Sequence, residues 1–132
     1  MRNVQKNEEL KGSVLLVDDD PQLFLTLSLE ERGYEVHSYT NSLEAARKIN
    51  EGLFYNVAMF DLSIGKENDF NGDSGQNLAY LSSEKNPDVP IIIFSAYSLI
   101  KAPYAKRVIF KPTPIPNLIQ IIEEVIKETR SK

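Results

Sequence analysis

The sequence predicts an α/β domain built around a parallel β-sheet. Four short, mostly apolar runs end abruptly in a polar residue, which is typical of strands that are buried on both faces. Segments with helical caps or one apolar face lie between these runs, so strands and helices alternate along the chain. The length of 132 residues is that of one domain.

The first predicted strand is Val14–Val17, an uninterrupted apolar run. Asp20 and Pro21 follow it, and we expect them to be the N-cap and the first residue of a helix. Aspartate caps helix N-termini well, and proline at the first helical position lacks only an N–H that has no helical partner. Gly33 is expected to end this helix.

Tyr34–Tyr39 mixes polar and apolar residues, which predicts an edge strand, because a central strand of a parallel sheet is apolar on both faces. Asn41 is followed three residues later by Glu44, a spacing that resembles a capping box. A second helix is therefore predicted to begin there and to end near Gly52.

The second half of the chain is predicted to contribute three further strands, at Val57–Phe60, Ile91–Phe94 and Arg107–Phe110. A polar, glycine-rich loop from Leu62 to about Gly72 and a helix from about Asp73 to Glu84 are expected between the first two. A closing helix is predicted from apolar residues that share one face: Leu118, Ile119, Ile122, Val125 and Ile126.

Composition and charge exclude several classes of protein. The net charge of −4 argues against a domain that contacts nucleic acid directly through its phosphates, and the absence of cysteine excludes disulfides and thiolate metal sites. No apolar run approaches the ~20 residues that span a bilayer, and Met1–Lys11 lacks the apolar core of a signal peptide. We expect a cytoplasmic protein without membrane contact, with a flexible leader at 1–12 and one domain at 13–132.

Polar side chains follow four of the predicted strands: Asp18-Asp19-Asp20, Asp61, Ser95 and Lys111. Each alone has a simple structural explanation, such as a helix cap or a surface charge. The carboxyl ends of parallel strands meet at one edge of a sheet, where ligands bind, so we expect these side chains to converge. Converging carboxylates require a cation, and an all-oxygen ligand set suits Mg²⁺.

A divalent ion beside an ammonium and a hydroxyl group is an arrangement that binds a phosphoryl group. The sequence contains neither the GxxxxGK[ST] nor the GxGxxG pattern of a nucleotide cradle. A carboxylate can itself accept a phosphoryl group and form an aspartyl-phosphate. Asp61, central among the strand ends, is the best candidate for this role.

Residues 13–130 resemble the receiver domain of two-component response regulators. Four motifs carry the resemblance, in the order that the family has them: Val-Asp-Asp-Asp-Pro at 17–21, Phe-Asp-Leu-Ser at 60–63, Phe-Ser-Ala at 94–96 and Phe-Lys-Pro at 110–112. The resemblance implies a flavodoxin-like, doubly wound, five-stranded parallel sheet in the order 2-1-3-4-5.

The resemblance also implies a role for each matching residue. Asp61 would be the phospho-acceptor, and the Mg²⁺ ligands would be Asp18, Asp19, Asp61 and the backbone carbonyl of Ser63. Ser95 and Lys111 would bind the phosphoryl group and act as the switch, and the Lys111–Pro112 bond would be cis. We hypothesise that Tyr97 tunes dephosphorylation by shielding the acyl phosphate from water; the alternative is a partly exposed loop tyrosine.

Three features depart from the family pattern. The loop at 65–75 is longer than usual and resembles an insertion beside the site. The interval from Ser95 to Lys111 is short and contains Pro103, which predicts a shortened or missing fourth helix. Val108 stands where many receivers carry an aromatic switch residue.

We therefore expect a receiver that takes a phosphoryl group from a sensor histidine kinase or phosphotransfer protein and switches protein–protein contacts. It would not be an enzyme, except in catalysing its own phosphorylation and dephosphorylation. One alternative is an interaction module of the same fold that works without phosphorylation. The other is a haloacid-dehalogenase-type phosphatase, with Asp18 and Asp20 as its Asp-x-Asp motif, although no aspartate follows Lys111.

Overall fold

A computed structural model describes residues 10–62, 74–96 and 101–130 of the chain. Most of the predicted leader and of the loop at 65–75, together with Ser63 and Tyr97, lies outside the described residues. The elements are β1 (Gly12–Val17), α1 (Leu23–Glu31), β2 (Tyr34–Tyr39), α2 (Ser42–Asn50), β3 (Val57–Asp61), α3 (Ser74–Lys85), β4 (Ile91–Ser95), β5 (Arg107–Phe110) and α4 (Ile115–Arg130).

The five strands form one parallel sheet in the order β2-β1-β3-β4-β5, which confirms the predicted fold. The register brings the strand ends level: Val17 pairs with Phe60, Asp61 pairs with Phe94, and Ser95 pairs with Phe110. The residues that follow these strands therefore emerge at a common edge of the sheet.

The sheet separates two apolar layers. Val14 and Leu16 face the layer that contains α1 and α4, whereas Leu15 and Val17 face the layer that contains α2 and α3. This alternation explains why β1 is an uninterrupted apolar run, since both of its faces are buried. Among the described residues, no helix is long and apolar enough to cross a membrane.

The predicted start of the first helix is wrong. Asp20 does not cap α1 and Pro21 is not its first residue, because the helix begins at Leu23 and its N-cap position is Gln22. The carboxylate of Asp18 accepts the backbone N–H of Asp20 at 3.0 Å, so this segment forms a turn at the strand end before the helix begins.

The second helix begins as predicted. The side chain of Asn41 accepts the backbone N–H of Glu44 at 3.0 Å and so caps α2. Gly33 and Gly52, which follow α1 and α2, have φ values of 100° and 96°, where glycine is favoured over other residues. The helix ends were thus correctly read from local residue chemistry.

The connection between β4 and β5 contains no helix in its described part, Ala96 and residues 101–106, in agreement with the predicted shortening of the fourth helix. Ala102 and Ala105 instead pack against the core layer of α2 and α3, together with Val108 of β5. Small side chains allow this non-helical segment to lie close to the sheet.

Gly75 in the first turn of α3 permits a close approach of this helix to the end of β3. Its N–H donates to the carbonyl of Leu62 at 2.9 Å. A Cβ atom at this position would overlap the carbonyl oxygen of Asp61 and lie 2.8 Å from the Cα of Leu62. Only glycine at this position therefore allows the first turn of α3 to pack directly against the backbone at the end of β3.

We predict that Gly75→Ala lowers the free energy of unfolding by about 2 kcal/mol, as overpacking against rigid backbone does. Helix propensity alone predicts a gain of about 1 kcal/mol for the same change, so the sign of the effect separates the two influences. Urea denaturation would measure it. Asn77→Ala, at an exposed position of the same helix, should change stability by about 0.5 kcal/mol or less. A Gly75→Ala protein that is more stable than wild type would contradict the steric argument.

Candidate functional site

The candidate site lies at the carboxyl edge of the sheet. Asp18 follows β1, Asp61 is the last residue of β3, Ser95 is the last residue of β4, and Lys111 follows β5. Parallel pairing brings these four strand ends to the same edge, where open α/β sheets bind their ligands.

Three carboxylates converge there. Asp18, Asp19 and Asp61 each place one carboxylate oxygen within 4.8 Å of those of the other two. Asp18 and Asp61 are 3% and 7% exposed, whereas Asp19 is exposed. Like charges at this separation repel one another strongly where water is excluded, so the cluster needs compensating positive charge.

Lys111 supplies part of that charge. Its Nζ lies 2.8 Å from Oδ1 of Asp61 and 3.4 Å from Oδ2 of Asp18, and 4.9 Å from the centroid of the Phe94 ring. Its backbone N–H donates to the carbonyl of Ser95 at 2.7 Å, which ties the lysine to the end of β4. The Lys111–Pro112 bond is cis, as the resemblance implied.

The pKa values reflect this environment. Burial lowers the pKa of Lys111, but the hydrogen bond to Asp61 and the charge of Asp18 outweigh it, so the pKa is raised and the ammonium stays charged. Burial raises the pKa of Asp61, and the charges of Asp18 and Asp19 raise it further against the opposing effect of Lys111. Lys111 therefore does not fully offset the combined effect of burial and neighbouring negative charge on Asp61.

Asp18 is held by three donors. Its Oδ1 accepts the N–H of Asp20 at 3.0 Å, and its Oδ2 accepts the side-chain amide of Gln22 at 2.9 Å as well as the Lys111 ammonium. Sequence reasoning did not single out Gln22. The sequence offered only one indication of its role, which is that a polar residue lies four positions after Asp18, within the segment that was predicted to begin a helix.

The remaining predicted residues divide into two groups. Ser95 is fully buried at the end of β4, and its carbonyl accepts the N–H of Lys111. Asp20 is exposed and does not belong to the acidic cluster. Ser63 and Tyr97 lie outside the described residues, so their predicted roles stay predictions.

The donor set fits Mg²⁺. All three clustered side chains are carboxylates, which are the hard oxygen ligands that this ion prefers, and an ion that keeps several waters needs only one or two of them directly. A bound cation would also oppose the burial and the charge repulsion that together raise the pKa of Asp61.

Comparisons with known proteins point to one class. No protein-family model matches the chain. The response regulator receiver protein CpdR of Brucella abortus (strain 2308) is 27% identical over 121 residues, which cover 86% of this chain and 95% of that protein. The match thus extends over nearly the whole of both chains.

Solved structures agree with the sequence match. A CheY-like receiver domain protein from Methanospirillum hungatei JF-1 superposes with a TM-score of 0.75 at 27% identity, covering 93% of this chain and 98% of that one. The response regulator TrrA from Thermotoga maritima, solved in complex with Mg²⁺-BeF, has a TM-score of 0.69 at 27% identity over 86% of this chain and 97% of its own. A receiver from Sinorhizobium medicae WSM419, at 19% identity and a TM-score of 0.77, shares the fold over 92% of this chain and 98% of its own.

We predict that Asp19→Asn stabilises the Mg²⁺-free protein, because it removes one of three mutually repelling charges while keeping the shape of the side chain. Exposure of Asp19 limits the gain to roughly 0.5–1 kcal/mol, or about 2–4 °C in the unfolding midpoint. Differential scanning calorimetry with a chelator would measure it, and added Mg²⁺ should raise the midpoint of the wild type more than that of the variant.

Asp88→Asn is the matched control, since Asp88 is exposed in the α3–β4 connection and does not belong to the acidic cluster. Its midpoint should respond to Mg²⁺ as the wild type does. An unchanged or lowered midpoint for Mg²⁺-free Asp19→Asn would rule out repulsion at this cluster.

Proposed function

We propose that the chain is a response-regulator receiver domain, on the basis of its sequence motifs and its fold, and that Asp61 accepts a phosphoryl group from a phospho-histidine donor in a Mg²⁺-dependent reaction. The observation that carries the proposal is the convergence of three carboxylates and one lysine at the carboxyl edge of the sheet. Such a receiver signals through protein contacts in the cytoplasm and is not an enzyme that acts on free metabolites.

In the transfer step, a carboxylate oxygen of Asp61 forms a bond to phosphorus as the bond between phosphorus and the histidine nitrogen breaks. The imidazole leaves with that electron pair, and the product is an aspartyl-phosphate. Asp18, Asp19, Asp61 and the Ser63 carbonyl would hold Mg²⁺, which would neutralise negative charge on the phosphoryl oxygens.

Lys111 already lies within hydrogen-bond distance of Asp61, so its ammonium can pair with a phosphoryl oxygen after only a small shift. The buried hydroxyl of Ser95 is the second predicted phosphoryl ligand, at the end of the neighbouring strand. The phosphoryl group adds a charge of about −1.5 to −2. Its attraction for the Lys111 ammonium and the Ser95 hydroxyl would shift the conformational equilibrium of the surface that partner proteins contact. Tyr97 is proposed to slow hydrolysis of the product.

A phosphorylation-independent interaction module is the second candidate. It is favoured by Val108, which stands in place of an aromatic switch residue, and by the non-helical segment 101–106. The acidic cluster argues against it, because buried carboxylates that repel one another cost stability and a module with no use for a cation gains nothing from them.

The phosphatase alternative has less support. Its Asp-x-Asp motif would need Asp20 at the site, and Asp20 is exposed and outside the acidic cluster. The acidic residues that follow Lys111 on α4 are engaged elsewhere: Glu123 accepts the Tyr34 hydroxyl and Glu124 pairs with Arg107.

Intact mass spectrometry after incubation with phosphoramidate tests the reaction. We predict one added phosphoryl group per wild-type chain in the presence of Mg²⁺, and none with a chelator or in Asp61→Ala. Asp88→Ala, an exposed aspartate outside the acidic cluster, should be modified like the wild type. No added mass in the wild type would favour the phosphorylation-independent module. Modification of Asp61→Ala would show that a residue other than Asp61 accepts the phosphoryl group.

The donor protein must reach Asp61, so it must contact the surface beside the strand ends. The first turn of α1 follows the acidic segment directly, and three large apolar side chains of this helix are exposed: Leu23 by 65%, Phe24 by 75% and Leu27 by 55%. We propose this apolar face of α1 as the part of the receiver that the histidine-bearing partner contacts.

We predict that Phe24→Ala slows phosphotransfer from a phosphorylated histidine kinase at least tenfold, because a large exposed aromatic side chain is a typical hot spot of binding. Phosphorylation by phosphoramidate, which needs no docking surface, should keep its wild-type rate. Phe54→Ala is the control, since Phe54 is 69% exposed but lies in the α2–β3 connection, at the opposite edge of the sheet. Equal transfer rates for Phe24→Ala and Phe54→Ala would show that the exposed face of α1 does not contribute to the contact with the partner.

A further inference from the structure

Gln22 occupies the N-cap position of α1 but does not cap the helix. No hydrogen bond joins its side chain to the first turn, and its amide Nε2 instead donates to Oδ2 of Asp18 at 2.9 Å. Replacing a good cap with a residue that does not cap typically costs a helix about 1 kcal/mol. The side chain is therefore directed to the acidic cluster rather than to the stability of its own helix.

The contacts of Asp18 differ in how long they can last during the proposed reaction. The Lys111 ammonium lies 3.4 Å from Asp18 but 2.8 Å from Asp61, so its stronger contact is with the acceptor. When the phosphoryl group arrives, Lys111 is drawn towards it. The Asp20 N–H on Oδ1 and the Gln22 amide on Oδ2 do not depend on Lys111 and can hold Asp18 throughout.

We propose that Gln22 is a positioning residue that orients the Asp18 carboxylate for Mg²⁺. The inference rests on the proposed function of the acidic cluster as a Mg²⁺ site. Together with the Asp20 N–H, the Gln22 amide fixes both oxygens of a carboxylate that is only 3% exposed. The lone pairs of Asp18 that accept no hydrogen bond then point in one defined direction and are available to a metal ion.

The chemistry of the side chain suits this task. A lysine or arginine at the same place would donate the same hydrogen bond but add a positive charge that competes with Mg²⁺ for the cluster. A glutamate would add a fourth negative charge and could not donate. A neutral amide holds the carboxylate without changing the charge of the site.

The test is the dissociation constant of Mg²⁺ from the unphosphorylated protein, measured by isothermal titration calorimetry. Gln22→Met keeps the length of the side chain and removes the donor, and we expect it to weaken Mg²⁺ binding about tenfold, as the loss of a partner that orients a metal ligand does. Gln120→Met is the matched control: Gln120 is exposed on α4 and its amide donates to the carboxylate of Glu124 at 3.3 Å. Its dissociation constant should stay within about twofold of the wild-type value.

Gln22→Asn separates positioning from a merely structural role. Asparagine is one methylene shorter and does not reach Asp18, but it is among the best N-cap residues. We expect Gln22→Asn to unfold at the same temperature as the wild type or higher, and yet to bind Mg²⁺ about tenfold more weakly. A structural role predicts that stability and Mg²⁺ affinity change together.

Wild-type Mg²⁺ affinity in both Gln22→Met and Gln22→Asn would overturn the proposal, as would a loss of affinity only in variants whose unfolding midpoint also falls. Neither outcome affects the proposed phosphorylation of Asp61, which is tested on the wild type by mass. If instead the wild type itself binds no Mg²⁺, the proposed function fails, and with it the role of Gln22.

Discussion

The contact between Lys111 and Asp61 is the interaction on which the rest of the site depends. Two of the three clustered carboxylates are buried, and the ammonium of Lys111, at 2.8 Å from Asp61 and 3.4 Å from Asp18, partly compensates their negative charge. That lysine is positioned by backbone hydrogen bonding rather than by its own flexible side chain, since its N–H is bound to the last carbonyl of β4. The register of the sheet thus determines the electrostatics of the site.

The same register explains why the strands and the site residues could be predicted from sequence. A strand buried on both faces has to be apolar throughout, so its end is marked by the first polar residue, as at Val17 followed by Asp18 and at Phe60 followed by Asp61. Because parallel strands place their carboxyl ends at one edge of the sheet, the convergence of the four strand ends could be predicted without knowing any distance between them. Local chemistry was also sufficient at the start of α2, where Asn41 has only its own helix to cap.

Sequence reasoning failed where a residue has two possible partners. At the start of α1, Asp20 was expected to cap the helix, but the Asp18 carboxylate holds the Asp20 N–H in a turn and the helix begins only at Leu23. Gln22 could not be recognised for the same reason, because its partner lies at the strand end rather than in its own helix. The need for glycine at position 75 also could not be recognised, because its cause is a tertiary contact: the backbone of Asp61 and Leu62 lies where a Cβ atom would be. A tertiary contact of this kind leaves no periodic pattern in the sequence.

The short helix α1 shows how closely the site, the core and the surface are joined. Leu25 and Leu29 are fully buried in the layer with α4, which fixes the rotation of the helix about its axis. Once that rotation is fixed, Leu23, Phe24 and Leu27 must face away from the core, and Gln22 at the preceding position must lie beside Asp18. A change in the position of α1 would therefore move the amide that holds Asp18 and the exposed apolar face together. The link between them is a rigid helix rather than a chain of side chains, so any partner that contacts this face acts on the same element that orients the acidic cluster.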